Sequence, residues 1–196
     1  MSPTVAVLDY GMGNLRSVAK ALEAAGANAV VTSETSEVSS ADALCVPGQG
    51  IFGRCMENLA ASRQDVVVRE WIAQRRPYLG ICLGMQILFD SSEERGPQAG
   101  LSILPGRVGR LEGDVRVPHM GWSEVNGEHY YFDHSYAVFP GDDATVTGWC
   151  THGLRFAAMV QSESLTAVQF HPEKSGAAGI SLLRGWLDGA PRKDSW

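Results

Sequence analysis

Apolar residues along this chain recur with two periods, and the change between them divides it in half. Thr4 to Leu8 is a short apolar run, after which Leu15, Val18, Ala19, Leu22 and Ala25 recur at helical spacing, with Gly26 placed as a C-terminal stop. Ala29 to Thr32 predicts a second strand, and Ala43 to Val46 a third after a polar connection suited to a short helix. Asp65 reads as an N-cap for a helix carrying Val66, Val67, Trp71 and Ile72; Pro77 ends that helix and an apolar strand begins at Tyr78. Strands and helices alternating across short glycine loops predict an α/β architecture, a mainly parallel sheet with helices on both faces. Ligands in such sheets bind at the carboxyl ends of the strands, which would put the loops Tyr10 to Asn14, Pro47 to Gly50 and Ile81 to Gly84 on one rim.

After Gly100 the helical period disappears. Arg107 to Leu111, Val115 to Val117, Glu124-Val125, Glu128 to Phe132, Ala137 to Phe139 and Ala144 to Thr147 are short strand candidates at hairpin spacing, with Asn126-Gly127 a strong two-residue turn. This half reads as antiparallel strands laid on the parallel core. Leu165 to Phe170 returns as a buried strand, His171-Pro172-Glu173 breaks it, and Ala177 to Leu187 predicts a closing helix.

The 196 residues suffice for one well-buried core and are few for two, so residues 1–196 are expected to form one domain. A formal net charge of -6 argues against a nucleic-acid surface. The N-terminus has neither the basic region nor the apolar stretch of a signal peptide, and no run is long enough to span a bilayer. The four cysteines, Cys45, Cys55, Cys82 and Cys150, are therefore expected to be reduced thiols in a cytoplasmic protein, and their spacings suit no zinc site.

One cysteine stands apart. In Tyr78-Leu79-Gly80-Ile81-Cys82-Leu83-Gly84-Met85-Gln86 a strand runs into a cysteine flanked by glycines and then into a helical pattern, the arrangement of a nucleophile elbow. A thiol at such a tip is expected to be exposed and to face a helix N-terminus, which favours the thiolate. A cysteine nucleophile needs a base, and the base a carboxylate to orient it; His171 and Glu173, two apart after an apolar strand, suit those roles. The backbone of Pro47-Gly48-Gln49-Gly50, with the N–H of Leu83, could hold an oxyanion. Cys45, Cys55 and Cys150 read as small hydrophobes, and His119, His129, His134 and His152 as structural or interface residues. Gly11-Met12-Gly13-Asn14 lacks the third glycine of a dinucleotide loop, so no cofactor is expected.

Gly80-Ile81-Cys82-Leu83-Gly84-Met85-Gln86 together with Phe170-His171-Pro172-Glu173 resembles the class I, triad-type glutamine amidotransferases, which have a flavodoxin-like three-layer sandwich fold. Asp9 to Ser17, Pro118-His119-Met120-Gly121-Trp122, Tyr131 to Tyr136 and His171 to Ser175 narrow the resemblance to the glutaminase subunits of imidazole glycerol phosphate synthase, in histidine biosynthesis. The resemblance implies a catalytic triad of Cys82, His171 and Glu173, and an oxyanion hole from the N–H groups of Gln49 and Leu83. It further implies substrate contacts from Gly50, Gln86, Ser135 and Tyr136. In this family ammonia passes to a (β/α)8 cyclase subunit. There it reacts with a phosphoribulosyl-formimino aminoimidazole carboxamide ribotide to give imidazole glycerol phosphate and an aminoimidazole carboxamide ribotide. Asn14, Ser17 and Trp122 lie in segments that match the cyclase-facing surface, which implies an exposed aromatic anchor and a heterodimer.

Two departures stand out. Gln49 replaces the valine often found in the oxyanion loop, and the connection from Trp122 to Tyr130 is short. The alternative within the same chemistry is a glutaminase subunit of another synthase, such as anthranilate synthase, against which the Pro118 to Trp122 segment speaks. A flavodoxin-like binding domain with a retired site would not need Cys82, His171 and Glu173 intact. A cysteine peptidase on the same sheet would carry its carboxylate elsewhere.

Overall fold

A computed structural model describes residues 2–189. Its first half alternates strands and helices, with two helices in succession before the fourth strand: β1 (Thr4–Leu8), α1 (Leu15–Ala25), β2 (Asn28–Thr32), α2 (Thr35–Ser40), β3 (Ala43–Gly48), α3 (Phe52–Ala61), α4 (Gln64–Ala73), β4 (Tyr78–Cys82) and the single turn α5 (Leu83–Gln86). Short strands β5 (Ser91–Ser92) and β6 (Gln98–Ala99) lead to β7 (Gly106–Arg110), and the hairpin β8 (His119–Val125) and β9 (Glu128–His134) follows. β10 (Tyr136–Pro140), β11 (Val146–His152), β12 (Leu154–Ser162) and β13 (Leu165–Val168) precede the last helix, α6 (Gly176–Gly189).

The main sheet runs β2-β1-β3-β4-β13-β12-β10-β7-β5-β6, with β11 paired to β12. Its five strands from β2 to β13 are parallel, and β13, β12, β10 and β7 continue it antiparallel. Alternation along β1 builds two cores. Ala6 and Leu8 point into one with Phe52 and Leu59 of α3 and Val68 and Trp71 of α4, while Val5 and Val7 point into the other with Val18 and Leu22 of α1 and Leu183 and Trp186 of α6. This is the expected three-layer sandwich. The β8–β9 hairpin packs through Val125, Tyr130 and Phe132 into the α1–α6 side. Among the described residues, no helix is long and apolar enough to cross a membrane.

Three expectations are corrected. Asp65 does not cap α4: the helix begins at Gln64 after Arg63 in a left-handed conformation, and the buried Gln64 amide ties the start to the carbonyls of Asp9 and Ser33. Val115 to Val117 forms no strand, because the Arg116 carbonyl is taken by the His152 ring at 2.7 Å instead of a ladder partner. Asp142 accepts the Ala144 N–H at 2.9 Å and winds Asp143–Thr145 into a 3-10 turn, so that strand starts only at Val146. Gly26 closes α1 in the left-handed region as expected, at φ 111°.

Candidate active site

Between β4 and α5 the backbone of Cys82 stands at φ 55°, ψ -105°, a conformation that stores about 1–3 kcal/mol in a residue with a side chain. The flanking glycines make it attainable. A Cβ on Gly80 would lie 2.4 Å from the Gly84 carbonyl oxygen, and one on Gly84 would lie 1.8 Å from that of Val46. Only glycine lets α5 fold down onto β3 and β4 and lift Cys82 to the tip.

That tip is not exposed. Cys82 is 5% accessible and lies in a cavity of about 320 Å³. Gln49, Gly50, Leu83, Gln86, Ser135 and Tyr136 line the same cavity, so the residues expected around the substrate converge although they come from three segments of the chain. Glu94, Pro118, Asp133 and His134 also line it and were not foreseen. Glu94 and Asp133 carry no spacing signal, and Glu94 reaches the wall from the irregular stretch after β5, where it accepts the Phe52 N–H at 2.7 Å.

His171 follows β13, and Glu173 lies in the 3-10 turn Pro172–Lys174, so a turn and not strand alternation brings them together. His171 Nδ1 and Glu173 Oε1 are 2.8 Å apart, with both side chains only 2% accessible. Burial pushes the His171 imidazole down, but Cys82 and Glu173 more than offset it and raise its pKa from 6.5 to about 9. His171 Nε2 and Glu173 Oε2 are buried without a hydrogen-bond partner. The segment is clamped to the hairpin: the His171 N–H donates to the Tyr131 carbonyl, the Tyr131 N–H donates to Ser175 Oγ, and Ser175 Oγ donates to the His171 carbonyl.

The other cysteines stay apart from this chemistry. Cys45, Cys55 and Cys150 are buried and unpaired, and burial raises all three thiols, Cys55 to about 12. Of the residues expected to face a partner, Trp122 is 56% accessible on β8, Asn14 is exposed ahead of α1 and Ser17 is half-buried on it. Met120, one alternation from Trp122, is 62% accessible, and together they form an apolar outer face on the hairpin.

The family profile described as glutamine amidotransferase class-I matches residues 6–187. The HisH subunit of imidazole glycerol phosphate synthase from Moorella thermoacetica is 43% identical over 195 residues, covering 93% of each chain. The HisH subunit from Corynebacterium diphtheriae is 46% identical over 206 residues, covering 94% of this chain and 98% of its own. The chain belongs to the HisH family of class-I glutamine amidotransferases. As a HisH chain it is an enzyme, a glutamine amidotransferase. A crystal structure of a glutamine amidotransferase matches the HisH fold with a TM-score of 0.73, at 21% identity over 95% of this chain and 99% of that one.

Proposed function

We propose that this HisH chain hydrolyses glutamine with Cys82 as nucleophile, His171 as proton carrier and Glu173 as its orienter, and delivers the ammonia to a cyclase subunit. The observation that carries this reading is the buried His171–Glu173 pair at 2.8 Å, with His171 Nε2 left without a partner and its pKa raised by Cys82. Cys82 Sγ attacks the side-chain amide carbon, and the N–H groups of Gln49 and Leu83 take the negative charge that develops on its oxygen. His171 gives its proton to the departing nitrogen, and ammonia leaves behind a thioester. Water, deprotonated at His171 Nε2, then releases glutamate and restores the thiol. Gly50, Gln86, Ser135 and Tyr136 hold the amino-acid end, and the carboxylate of Glu94 on the cavity wall suits the substrate ammonium.

Ammonia released into neutral water is mostly protonated and no longer nucleophilic, which is the physical reason for a covered route to an acceptor. The relatives are subunits of imidazole glycerol phosphate synthase, and the apolar face of Met120 and Trp122 suits a partner subunit. The partner of this reading is the cyclase, which joins the ammonia to a phosphoribulosyl-formimino aminoimidazole carboxamide ribotide. Its products are imidazole glycerol phosphate and an aminoimidazole carboxamide ribotide. Asn14, Ser17 and Trp122 face it.

Glutamate release measured with and without the cyclase subunit and its ligand tests the reading. A steep rise on addition of the cyclase is expected, and Cys82→Ala is expected to abolish release while the complex still forms. Undiminished release by Cys82→Ala, or vigorous peptidase activity without the cyclase, would sink it.

A further inference from the structure

We propose that Gln169 donates a hydrogen bond to the Cys82 sulfur, and that His119 and His134 position this contact through a directional chain of hydrogen bonds whose polarity is set by the Tyr136 carbonyl. The inference rests on the reading of Cys82 as nucleophile. A carbonyl oxygen can only accept, and that of Tyr136 takes two donors, Nδ1 of His134 at 2.9 Å and Nε2 of Gln86 at 2.9 Å.

Each branch then has one possible direction. Gln86 must turn its amide nitrogen toward Tyr136, and the second N–H of that group donates to Gln169 Oε1 at 3.0 Å. With its oxygen so engaged, Gln169 directs its own amide nitrogen at Cys82 Sγ, 3.5 Å away. On the other branch His134 carries its proton on Nδ1, so its Nε2 accepts from His119 Nδ1 at 3.0 Å. His119 in turn accepts at Nε2 from Ser123 Oγ at 2.8 Å. One backbone carbonyl thus dictates two tautomers and two amide orientations.

All side-chain members but the half-buried Ser123 are closed off from water. Gln169 is fully buried, Gln86 and His119 are 3% accessible, and His134 is 7% accessible. Burial lowers His134 to about 3 and His119 to about 4, so both are neutral near pH 7, as the directions above require. His119 is further held between the rings of Phe132 and His152, at centroid distances of 4.7 and 4.1 Å. The consequences reach both ends of the chain. At Cys82 the Gln169 N–H favours the thiolate, since a hydrogen bond to a charged acceptor is the stronger kind. At the surface Ser123 follows Trp122 on β8, so displacing the hairpin would strain the chain at its start.

The test compares full-length variants by two measurements: the rate at which iodoacetamide alkylates Cys82, located by peptide mass, and kcat and KM for glutamate release with the cyclase present. Gln169→Met keeps the volume and removes the donor, and is expected to slow both alkylation and kcat about tenfold or more. His134→Asn keeps an N–H where Nδ1 stands but drops the acceptor for His119, and is expected to lose several-fold less in both measurements than His134→Gln. His134→Gln, whose amide reaches the Nε2 position instead, is expected to lose on the order of tenfold at a melting temperature no lower than that of His134→Asn. A Gln169→Met variant alkylated and turned over at parental rates, or equal losses in the two His134 variants, would overturn the proposal. Parental chain that released no glutamate with the cyclase would count against the glutaminase reading alone, because the alkylation comparison does not depend on it.

Discussion

A single methyl group at Gly84 would stand 1.8 Å from the Val46 carbonyl oxygen, so Gly84→Ala must push α5 off β3. Such overpacking is expected to cost about 1–3 kcal/mol or more in urea unfolding and to slow Cys82 alkylation; parental values for both would show that the elbow does not depend on this contact. Glu173 acts on charge. Its loss in Glu173→Gln is expected to lower the His171 titration from about 9, as followed by NMR, and to reduce kcat for glutamate release on the order of a hundredfold or more. An unmoved His171 titration would argue that Cys82 alone holds the imidazole charged. At this scale the elbow and the pair were legible because each is local: glycines two residues from the cysteine, and a histidine two residues from its carboxylate. The accessibility of Cys82 was not, since the cavity around it is walled by Glu94, Asp133 and His134 from distant segments.

Among the elements, the β8–β9 hairpin does the most to join surface to site. Trp122 pairs with Tyr131 across it and packs edge-on at 6.0 Å, and the Tyr131 carbonyl receives the His171 N–H. Trp122→Ala is expected to leave the melting temperature unchanged, because the ring is mostly exposed, and to weaken binding of the cyclase by about 2 kcal/mol or more in calorimetry. Binding at parental strength would remove Trp122 from the interface. The hairpin was legible from Asn126-Gly127, whose positive φ values of 56° and 84° are those the dipeptide favours. Helix α3 and strand β12 were not foreseen. Phe52, Cys55 and Leu59 of α3 do recur at helical spacing, but three apolar positions ahead of a polar stretch are a thin signal, and β12 is fixed by pairing with β10 and β13, which the local pattern does not name.

For the molecule as a whole, three buried histidines set opposing pH dependences. His134 and His119 are depressed by burial to about 3 and about 4, so the unfolded chain binds their protons more readily. Their contribution to stability is intact above 6.5 and drains as pH falls toward those values. His171 is raised to about 9, so its contribution is full below 6.5 and is lost as pH rises through 9. Urea unfolding is therefore expected to show lower stability at about pH 5 than at about pH 7, with the difference shrinking in His134→Asn. A pH difference that this variant leaves intact would place the acid sensitivity elsewhere. The sequence by itself determined the alternating pattern around β1 to β4, the elbow, the His171–Glu173 spacing and the family, because periodicity, glycine placement and short spacings act between near neighbours. Only the tertiary structure decided which polar groups meet. Gln86 finds Gln169 at a separation of 83 residues and the Tyr136 carbonyl at 50, and His119 finds His134 across the hairpin. A buried polar side chain must have a partner, but nothing periodic in the chain says which one, so that choice waits until the sheet is assembled around Cys82.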